Sequence, residues 1–462
     1  MAKTQSSTAA SPGLLPNSLR FLGTLGNSIG IQAPTAGVTF LPALMAGVVG
    51  GAGPVAFLFA LGAMLFVGYA FTLFARDTAS AGSVFAFNGK ALTPFAGFTT
   101  LCLLLLVYIA YASSVLASNA NLVQGRFPHA PWVLLALVCL AVSIVIGYRH
   151  IGLSAALIVV FEAVSLVLVG IVAVAVLVHG SSHHHVLLLH HSSSPSLSTL
   201  GLGVVLAFTG FSGFEVAATL GEESSRPKRV IPRAFIVALI ASGLIYAGMS
   251  WIETIAFPTP ASLASQSVPL VTIAHRYIGA PMAILINLAA LVSGLGAQFA
   301  CFTGATRLLY AIAREVAPNS VLARTHHSHH SPTGALWTVA AFSLLGIVVL
   351  ASQSAIDAYF DLATFGADLI LIVYLVTIVG AISWSIRRRI HPVMNSLILG
   401  MGALILGGVI WSTLTTLVAP FTWCALAAGV VVLGCAVAYP LLPRVRNTVR
   451  ASQLLMQTND GL

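Results

Sequence analysis

Apolar runs of about 20 residues, the length that crosses a bilayer core as a helix, recur along nearly the whole chain and are separated by short polar breaks. Twelve such spans are predicted, at 21–48, 52–75, 93–119, 131–148, 151–178, 198–220, 233–256, 280–313, 334–352, 356–386, 394–417 and 420–441. The longer breaks are a Ser/His-rich run at 180–198 and a segment at 257–279. The pattern predicts an all-α protein that lies in the lipid bilayer.

Charge tests this count independently. With the N-terminus on the cytoplasmic side, the loops of that side collect Lys3, Arg20, Arg76, Lys90, Arg149, Arg226, Lys228, Arg229, Arg233, Arg307, Arg314, Arg324, Arg387, Arg388, Arg389, Arg444, Arg446 and Arg450. The opposite side keeps Arg126 and Arg276, a division of 18 against 2. Short cytoplasmic loops are enriched in Lys and Arg, and a miscounted span would scramble the bias. Both termini are therefore expected in the cytoplasm, with the chain in the cell (inner) membrane. The formal charge of +9 reports this topology rather than a nucleic-acid surface, because the basic residues sit in short loops.

Composition agrees with the pattern. Hydrophobic residues make up 58% of the 462 and charged residues 7%, with a mean hydropathy of +0.99. A soluble domain carries roughly a quarter charged residues. The five cysteines (Cys102, Cys139, Cys301, Cys424, Cys435) fall inside apolar runs at unrelated spacings and read as packing residues, not as a disulfide or zinc framework. The first 19 residues are polar and lack a basic, apolar and small-residue cleavage pattern, so no removable signal peptide is expected.

Two spans carry features that a plain membrane helix does not need. Span 6 reads AFTGFSGFE over 207–215, which places Gly210, Gly213 and Glu215 in an apolar run. A carboxylate at membrane depth is costly and marks a functional path, and glycines beside it predict a helix that breaks where it lines a cavity. Five spans earlier, span 1 reads GNSIGIQAPTAG over 26–37. Pro34 removes a backbone donor there, and Gly30 and Gly37 weaken the helix on either side. Discontinuous helices at equivalent places in two halves of a chain are what an inverted repeat predicts.

The chain resembles an amino acid–polyamine–organocation permease. Three segments carry the resemblance: FARDTASAGSVFAF at 74–87 with PFAGF at 94–98; GFSGFE at 210–215 with RPKRVIP at 226–232; and TRLLYAIARE at 306–315, followed by Pro318 and Ser331-Pro332. The resemblance covers about residues 15–445. It implies a LeuT-like five-plus-five inverted repeat plus two C-terminal helices. The expected parts are a cytoplasmic tail at 1–20, a first repeat at 21–178, a second at 198–386, helices 11 and 12 at 394–441, and a second cytoplasmic tail at 442–462. Two departures stand out. Relatives that bind amino-acid carboxylates commonly carry a compact Gly-small-Gly triad in helix 1, where this chain has QAPTAG at 32–37; and the usual RDGxxP after helix 8 is shortened to REVAP at 314–318.

Broken helices imply a binding mechanism. Half-helix N-termini expose N–H groups with partial positive charge, and C-termini expose carbonyls. The expected substrate site therefore comprises Gln32, Ala33, Thr35, Ala36 and Gly37, suited to a carboxylate, with Phe208, Gly210, Phe211 and Gly213, whose carbonyls suit an amino group. Phe208 and Phe211 are candidates for capping the substrate by cation–π contact or as a gate, and equally for plain packing. Four acids are read as lying well inside spans: Glu162, Glu215, Asp361 and Asp368. Burial favours the protonated form of a carboxyl, which suits proton exchange. The resemblance puts Glu215 at the family's helix 6 acid position, ranked first for gating or proton coupling. Glu162 on span 5 lies where some proton-coupled relatives carry a lysine, and could carry the proton or favour a cationic substrate. Asp361 and Asp368, two turns apart, suit a polar seam. Span 8 offers Ser293, Thr303 and Thr306 but no adjacent hydroxyl pair, so proton coupling or exchange is favoured over sodium symport.

The histidines (His179, His183, His184, His185, His190, His191, and His326, His327, His329, His330) crowd two Ser-rich loops without the fixed geometry of a metal site. No cofactor, metal or nucleic-acid partner is expected. The expected function is a secondary active transporter of amino acids or related organic amines, proton-coupled or exchanging, with a polyamine or cationic-amine exchanger and a non-transporting membrane sensor as alternatives. An enzyme is not expected, because no span carries a nucleophile–base pair or metal-ligand spacing. The partners are a small-molecule substrate, protons and the lipid bilayer; the oligomeric state is left open.

Overall fold

The computed structural model describes residues 20–77, 83–148, 151–179, 195–220, 224–325, 331–415 and 420–441. The expected terminal tails lie largely outside the described residues, as do the His-rich stretches at 183–191 and 326–330. The helices, in chain order, are α1 (Phe21–Gln32), α2 (Pro34–Val49), α3 (Gly53–Asp77), α4 (Ser83–Ala91), α5 (Pro94–Gln124), α6 (Trp132–Tyr148), α7 (Ile151–His179) and α8 (Leu197–Phe211). They continue with α9 (Pro227–Ala256), α10 (Pro260–Ala264), α11 (Pro269–Tyr277), α12 (Ala280–Val316), α13 (Thr333–Val349), α14 (Ala355–Arg388), α15 (Pro392–Thr415) and α16 (Phe421–Leu441). No strand occurs among the described residues. Nine continuous stretches among them are long and apolar enough to span a bilayer, and α6 and α13 are shorter apolar helices of 17 residues each.

Local chemistry sets several of the helix starts. Thr93 caps α5 by accepting the Ala96 N–H at 3.1 Å, with Pro94 in the first turn, where its missing N–H costs nothing. Ser196 caps α8 through Thr199 N–H at 3.1 Å, and Ser354 caps α14 through Asp357 N–H at 3.2 Å. Inside the helices, small residues allow close approach. Along α3 and α9, Gly53 lies against Ser250, Leu61 against Gly243 and Gly68 against Leu239, so the two helices run antiparallel.

Both expected breaks are present, one at Ala33 before Pro34 and one at Ser212–Gly213, while Gly30, Gly37 and Gly210 stay in regular helix. The first falls on Ala33, at φ 40 and ψ 63, with Gly30 and Gly37 in regular helix on either side. Pro34 is the cause: its ring disfavours right-handed helix in the residue before it, so α1 stops there and α2 starts at the proline itself. In the second, Gly210 is helical and α8 runs to Phe211; Ser212 is extended, Gly213 takes φ 95, and a 3-10 turn follows over Phe214–Leu220. Gly213 is required twice over, by its positive φ and because a Cβ there would run into Ile31. The broken helices lie at the centre of the bundle: α1 packs on α7, α9, α12 and the 3-10 turn, and α2 packs on α8, α9, α10 and α12.

Candidate functional site

The two breaks face each other across a narrow cavity of about 60 Å³. Of the residues expected to bind substrate, Gln32, Ala33, Ala36, Gly37 and Gly210 line it; Thr35, Phe208, Phe211 and Gly213 do not. Neither Glu162 nor Glu215 reaches the cavity surface. The rest of the wall comes from α5 (Tyr111, Ser114, Val115, Ser118), α9 (Tyr246), α12 (Gly294, Ala297, Cys301), α14 (Tyr359, Ala363), Phe40 and Leu41 of α2, Ile31 of α1, and Thr209 and Ser212 beside the second break.

Tyr246 occupies the centre of this arrangement. A Cβ on Gly37 would stand 2.5 Å from its Cε1, and one on Gly210 would stand 2.9 Å from its Cε2. Two glycines first read as helix breakers thus admit one ring between the two broken helices. The ring stacks on Phe57 at 5.5 Å between centroids and meets Phe211 edge-on at 5.8 Å, so Phe211 packs against the back of the tyrosine. Phe208 is fully buried in the surrounding packing. The aromatic surfaces at the cavity are those of Phe40, Tyr111, Tyr246 and Tyr359.

Gln32 ties the first break to its neighbours. Its Nε2 donates to the Phe211 carbonyl at 3.1 Å, its Oε1 accepts from Ser242 at 2.9 Å, and its carbonyl accepts from the Tyr246 hydroxyl. The last residue of α1 is thereby fastened both to the last residue of α8 and to α9.

The start of α2 was expected to present free N–H groups to a carboxylate. Pro34 has no N–H, Thr35 N–H donates to Glu162 Oε1 at 2.9 Å, Ala36 N–H donates to Ser293 Oγ at 3.3 Å, and Gly37 N–H is taken by the Ala33 carbonyl at 2.8 Å. Every donor of that first turn is already bonded within the protein, and one of them to a carboxylate. Glu162, reaching in from α7 and 5% exposed, occupies the position expected for the substrate's acid group.

Glu215 is treated similarly at the second break. It is fully buried and accepts from Gly213 N–H at 3.1 Å, the Tyr374 hydroxyl at 2.9 Å and the Tyr108 hydroxyl at 3.3 Å. It joins the end of α8 to α5 and α14. Asp361 accepts from Gln353 Nε2 at 3.1 Å, and Asp368 is buried with Oδ2 unpaired; neither lines the cavity. Among the described residues no group of three or more His, Cys, Asp or Glu could hold a metal ion.

Comparison with known proteins decides the family. A family model described as amino acid permease matches residues 20–449. The chain belongs to the amino acid permease family. The permease is 24% identical over 414 residues to the low-affinity putrescine importer PlaP of Escherichia coli, across 85% of this chain and 87% of the relative. It is 28% identical over 280 residues to an uncharacterized transporter of Mycobacterium tuberculosis, across 60% and 58%. It is 26% identical over 145 residues, 31% of each chain, to the branched-chain amino acid permease BcaP of Bacillus subtilis. Family and relatives make the permease a multi-pass membrane transporter of a small molecule, an amino acid or an amine.

Several wall residues escape the sequence reading. Tyr111, Ser114 and Ser118 recur at helical spacing on one side of α5, a polar stripe in an apolar span that flags a cavity wall. Tyr246 and Tyr359 have no comparable signal, since an isolated tyrosine in a membrane helix reads as packing.

Proposed function

We propose that the permease is a secondary active transporter, working by alternating access, whose substrate is an organic amine without a free carboxylate. The bond from Thr35 N–H to Glu162 carries this reading. In a site of this kind the N-terminus of a half-helix is the natural seat of a substrate carboxylate. Here Glu162 holds it, so an incoming acid group would meet a like charge and no free donor. The 3-10 turn after the second break has its N–H at Gly213 satisfied in the same way by Glu215. The C-terminal ends of α1 and α8, by contrast, both stop at the cavity. Each carries roughly half a negative charge. With tyrosine hydroxyls and aromatic faces around them, these ends favour an ammonium group. The putrescine importer among the relatives, whose named substrate has no carboxylate, supports the same choice, and the cationic-amine alternative thus becomes the preferred one.

The layout proposed for this activity has twelve spans. The stretch Phe21–Arg76, 56 residues long, is too long for one crossing and divides at the 3-10 turn Gly50–Ala52. Counting its two parts and the two 17-residue helices yields the expected number. The packing pairs support a five-plus-five repeat over 21–178 and 198–386: α3 lies on α9, α5 on α12 and α6 on α13, while α5 on α14 is matched by α12 on α7, and α2 on α9 by α8 on α3. Helices α15 and α16 (394–441) stand outside the proposed repeat, and we place both tails in the cytoplasm of an inner membrane, the orientation that the basic loops favour. In that orientation the Tyr108–Glu215–Tyr374 cluster lies on the cytoplasmic side of the cavity, where we assign it as a gate that parts when the site opens inward.

The test is uptake into proteoliposomes in which labelled putrescine competes with unlabelled amines and their parent amino acids. Decarboxylated amines should compete strongly and the parents weakly. Parents that compete as well as their amines would end the reading.

A further inference from the structure

Glu162 and Glu215 each receive hydrogen bonds that stabilise a charged carboxylate. Glu253 does not. It lies in the last turn of α9, is fully buried, and neither Oε1 nor Oε2 has a hydrogen-bond partner. A bare carboxylate ion in such a place is strongly disfavoured, because nothing replaces the water it has lost. Asp368 is the nearest comparison, but it leaves one oxygen unpaired and keeps a small exposed area.

Its position on the helix connects it to the substrate site. Ser242, Tyr246, Ser250 and Glu253 fall at i, i+4, i+8 and i+11 on one side of α9, and all four are buried. Ser242 and Tyr246 hold Gln32 in the first break. Glu253 stands about 10 Å further along the axis from Tyr246, seven residues at 1.5 Å each. A row of hydroxyls therefore runs from the break to the buried acid. At that level α9 faces the turn between α2 and α3: Gly53 lies against Ser250 and Gly51 against Thr254.

Few charged groups surround it. Of the elements packed on α9, α1, α2, α8 and α10 carry no titratable side chain. Helix α3 has Tyr69, Arg76 and Asp77 towards its other end, the 3-10 turn has Glu215 at the second break, and α7 has Glu162 at the first break and His179 in its last turn. Helix α11 brings His275, Arg276 and Tyr277. The Arg276 guanidinium donates to the Ala256 carbonyl at 2.9 Å and lies over the Phe257 ring at 5.1 Å, so it is held at the end of α9 without pairing with Glu253.

We propose that Glu253 is a proton-binding site of the transport cycle, neutral in the closed arrangement described here and ionised when the α10–α11 end of the bundle opens around it. The proton comes from water at that end and forms the O–H bond of the carboxyl as the end closes. It passes to water that enters beside the polar row of α9 when the substrate site empties to the other side, and that water hydrates the carboxylate left behind. The inference rests on the transport reading above and supplies its coupling residue.

The experiment uses the full-length protein in proteoliposomes with a trapped pH dye. Labelled putrescine and its parent ornithine serve as separate probes, and counterflow and substrate-driven proton flux are both recorded. Glu253→Gln should retain counterflow while its proton flux falls roughly tenfold or more, the size of a typical coupling between two bound species. Glu253→Asp should keep the flux with an altered pH dependence. Wild-type proton flux in Glu253→Gln, or an unaltered pH profile in Glu253→Asp should the Gln variant fail to fold, overturns the proposal. So does a wild-type protein that transports either probe without moving protons. Counterflow of ornithine in place of putrescine would overturn the amine reading alone, and the flux measured with ornithine would still decide the role of Glu253.

Discussion

Glu162 and Thr35, 127 residues apart in the chain, meet in a 2.9 Å hydrogen bond at the first turn of α2. The bond places the protein's own carboxylate on the one half-helix N-terminus that borders the cavity wall. The helix end and the N–H donor both favour the ionised form of this buried acid, against the desolvation that opposes it.

Selectivity should follow from that bond. Glu162→Ala frees the Thr35 N–H and removes the like charge, so the parent amino acid should gain on its amine as a competitor by roughly ten- to a hundredfold, the 1.5–3 kcal/mol of a charge-assisted hydrogen bond. Glu162→Gln removes the charge while leaving an acceptor, and should shift the ratio less. Competition curves for putrescine uptake check this; an unchanged ratio in both variants would remove Glu162 from substrate selection.

The clasp around Glu215 predicts a graded loss of stability. Tyr374 donates at 2.9 Å and Tyr108 at 3.3 Å. Tyr374→Phe should cost about 1–3 kcal/mol, since it leaves part of a buried carboxylate unpaired, and Tyr108→Phe less. The double variant should fall short of the sum, because both donors serve one group. Thermal unfolding in detergent measures all three, and equal, additive losses would contradict a shared clasp.

Gly37 and Gly210 predict a steric effect on the site. Alanine at either position pushes a methyl group into the Tyr246 ring, at a cost of about 1–3 kcal/mol if the ring has to shift. Because the Tyr246 hydroxyl holds the Gln32 carbonyl, a displaced ring also loosens the first break. Uptake should fall sharply in Gly37→Ala and Gly210→Ala while membrane insertion persists. Wild-type uptake in Gly37→Ala would show that the ring has room to move.

These cases mark what the chain reveals before its structure is known. The breaks are legible because Pro34 and Gly213 impose backbone conformations through their own covalent geometry. The purpose of Gly37 and Gly210 is not legible, since it depends on a tyrosine brought in from a helix more than 30 residues beyond Gly210. Glu162 is recognisable as an acid in an apolar span, yet its partner is a backbone N–H, which has no sequence signature. The expected carboxylate seat and the acid that fills it are both visible in the sequence; that they coincide is a fact of tertiary packing. Glu253 sits three residues from the end of its span, where an acid reads as interfacial, and the cover over that end is a loop whose helices α10 and α11 are only 5 and 9 residues long.

Gln32 allows the cation preference to be tested apart from Glu162. It is 3% exposed and stands where the C-terminal ends of α1 and α8 meet, donating to Phe211 and accepting from Ser242. Gln32→Glu keeps the acceptor for Ser242 and loses the donor to Phe211, so a new carboxylate faces a carbonyl at the negative end of a helix. Without substrate the variant should be less stable than the wild type by about 1–3 kcal/mol, the cost of a buried carbonyl that loses its donor and faces a carboxylate oxygen in its place. A bound ammonium would relieve that repulsion, so the rise in unfolding temperature on adding putrescine should be larger than in the wild type, by linkage between binding and stability. Gln32→Leu, which loses both bonds without adding charge, should be destabilised and gain nothing extra from putrescine. A smaller putrescine-induced rise in Gln32→Glu than in the wild type would mean that the ammonium does not bind between the two helix ends, and the electrostatic case for an amine substrate would fall with it.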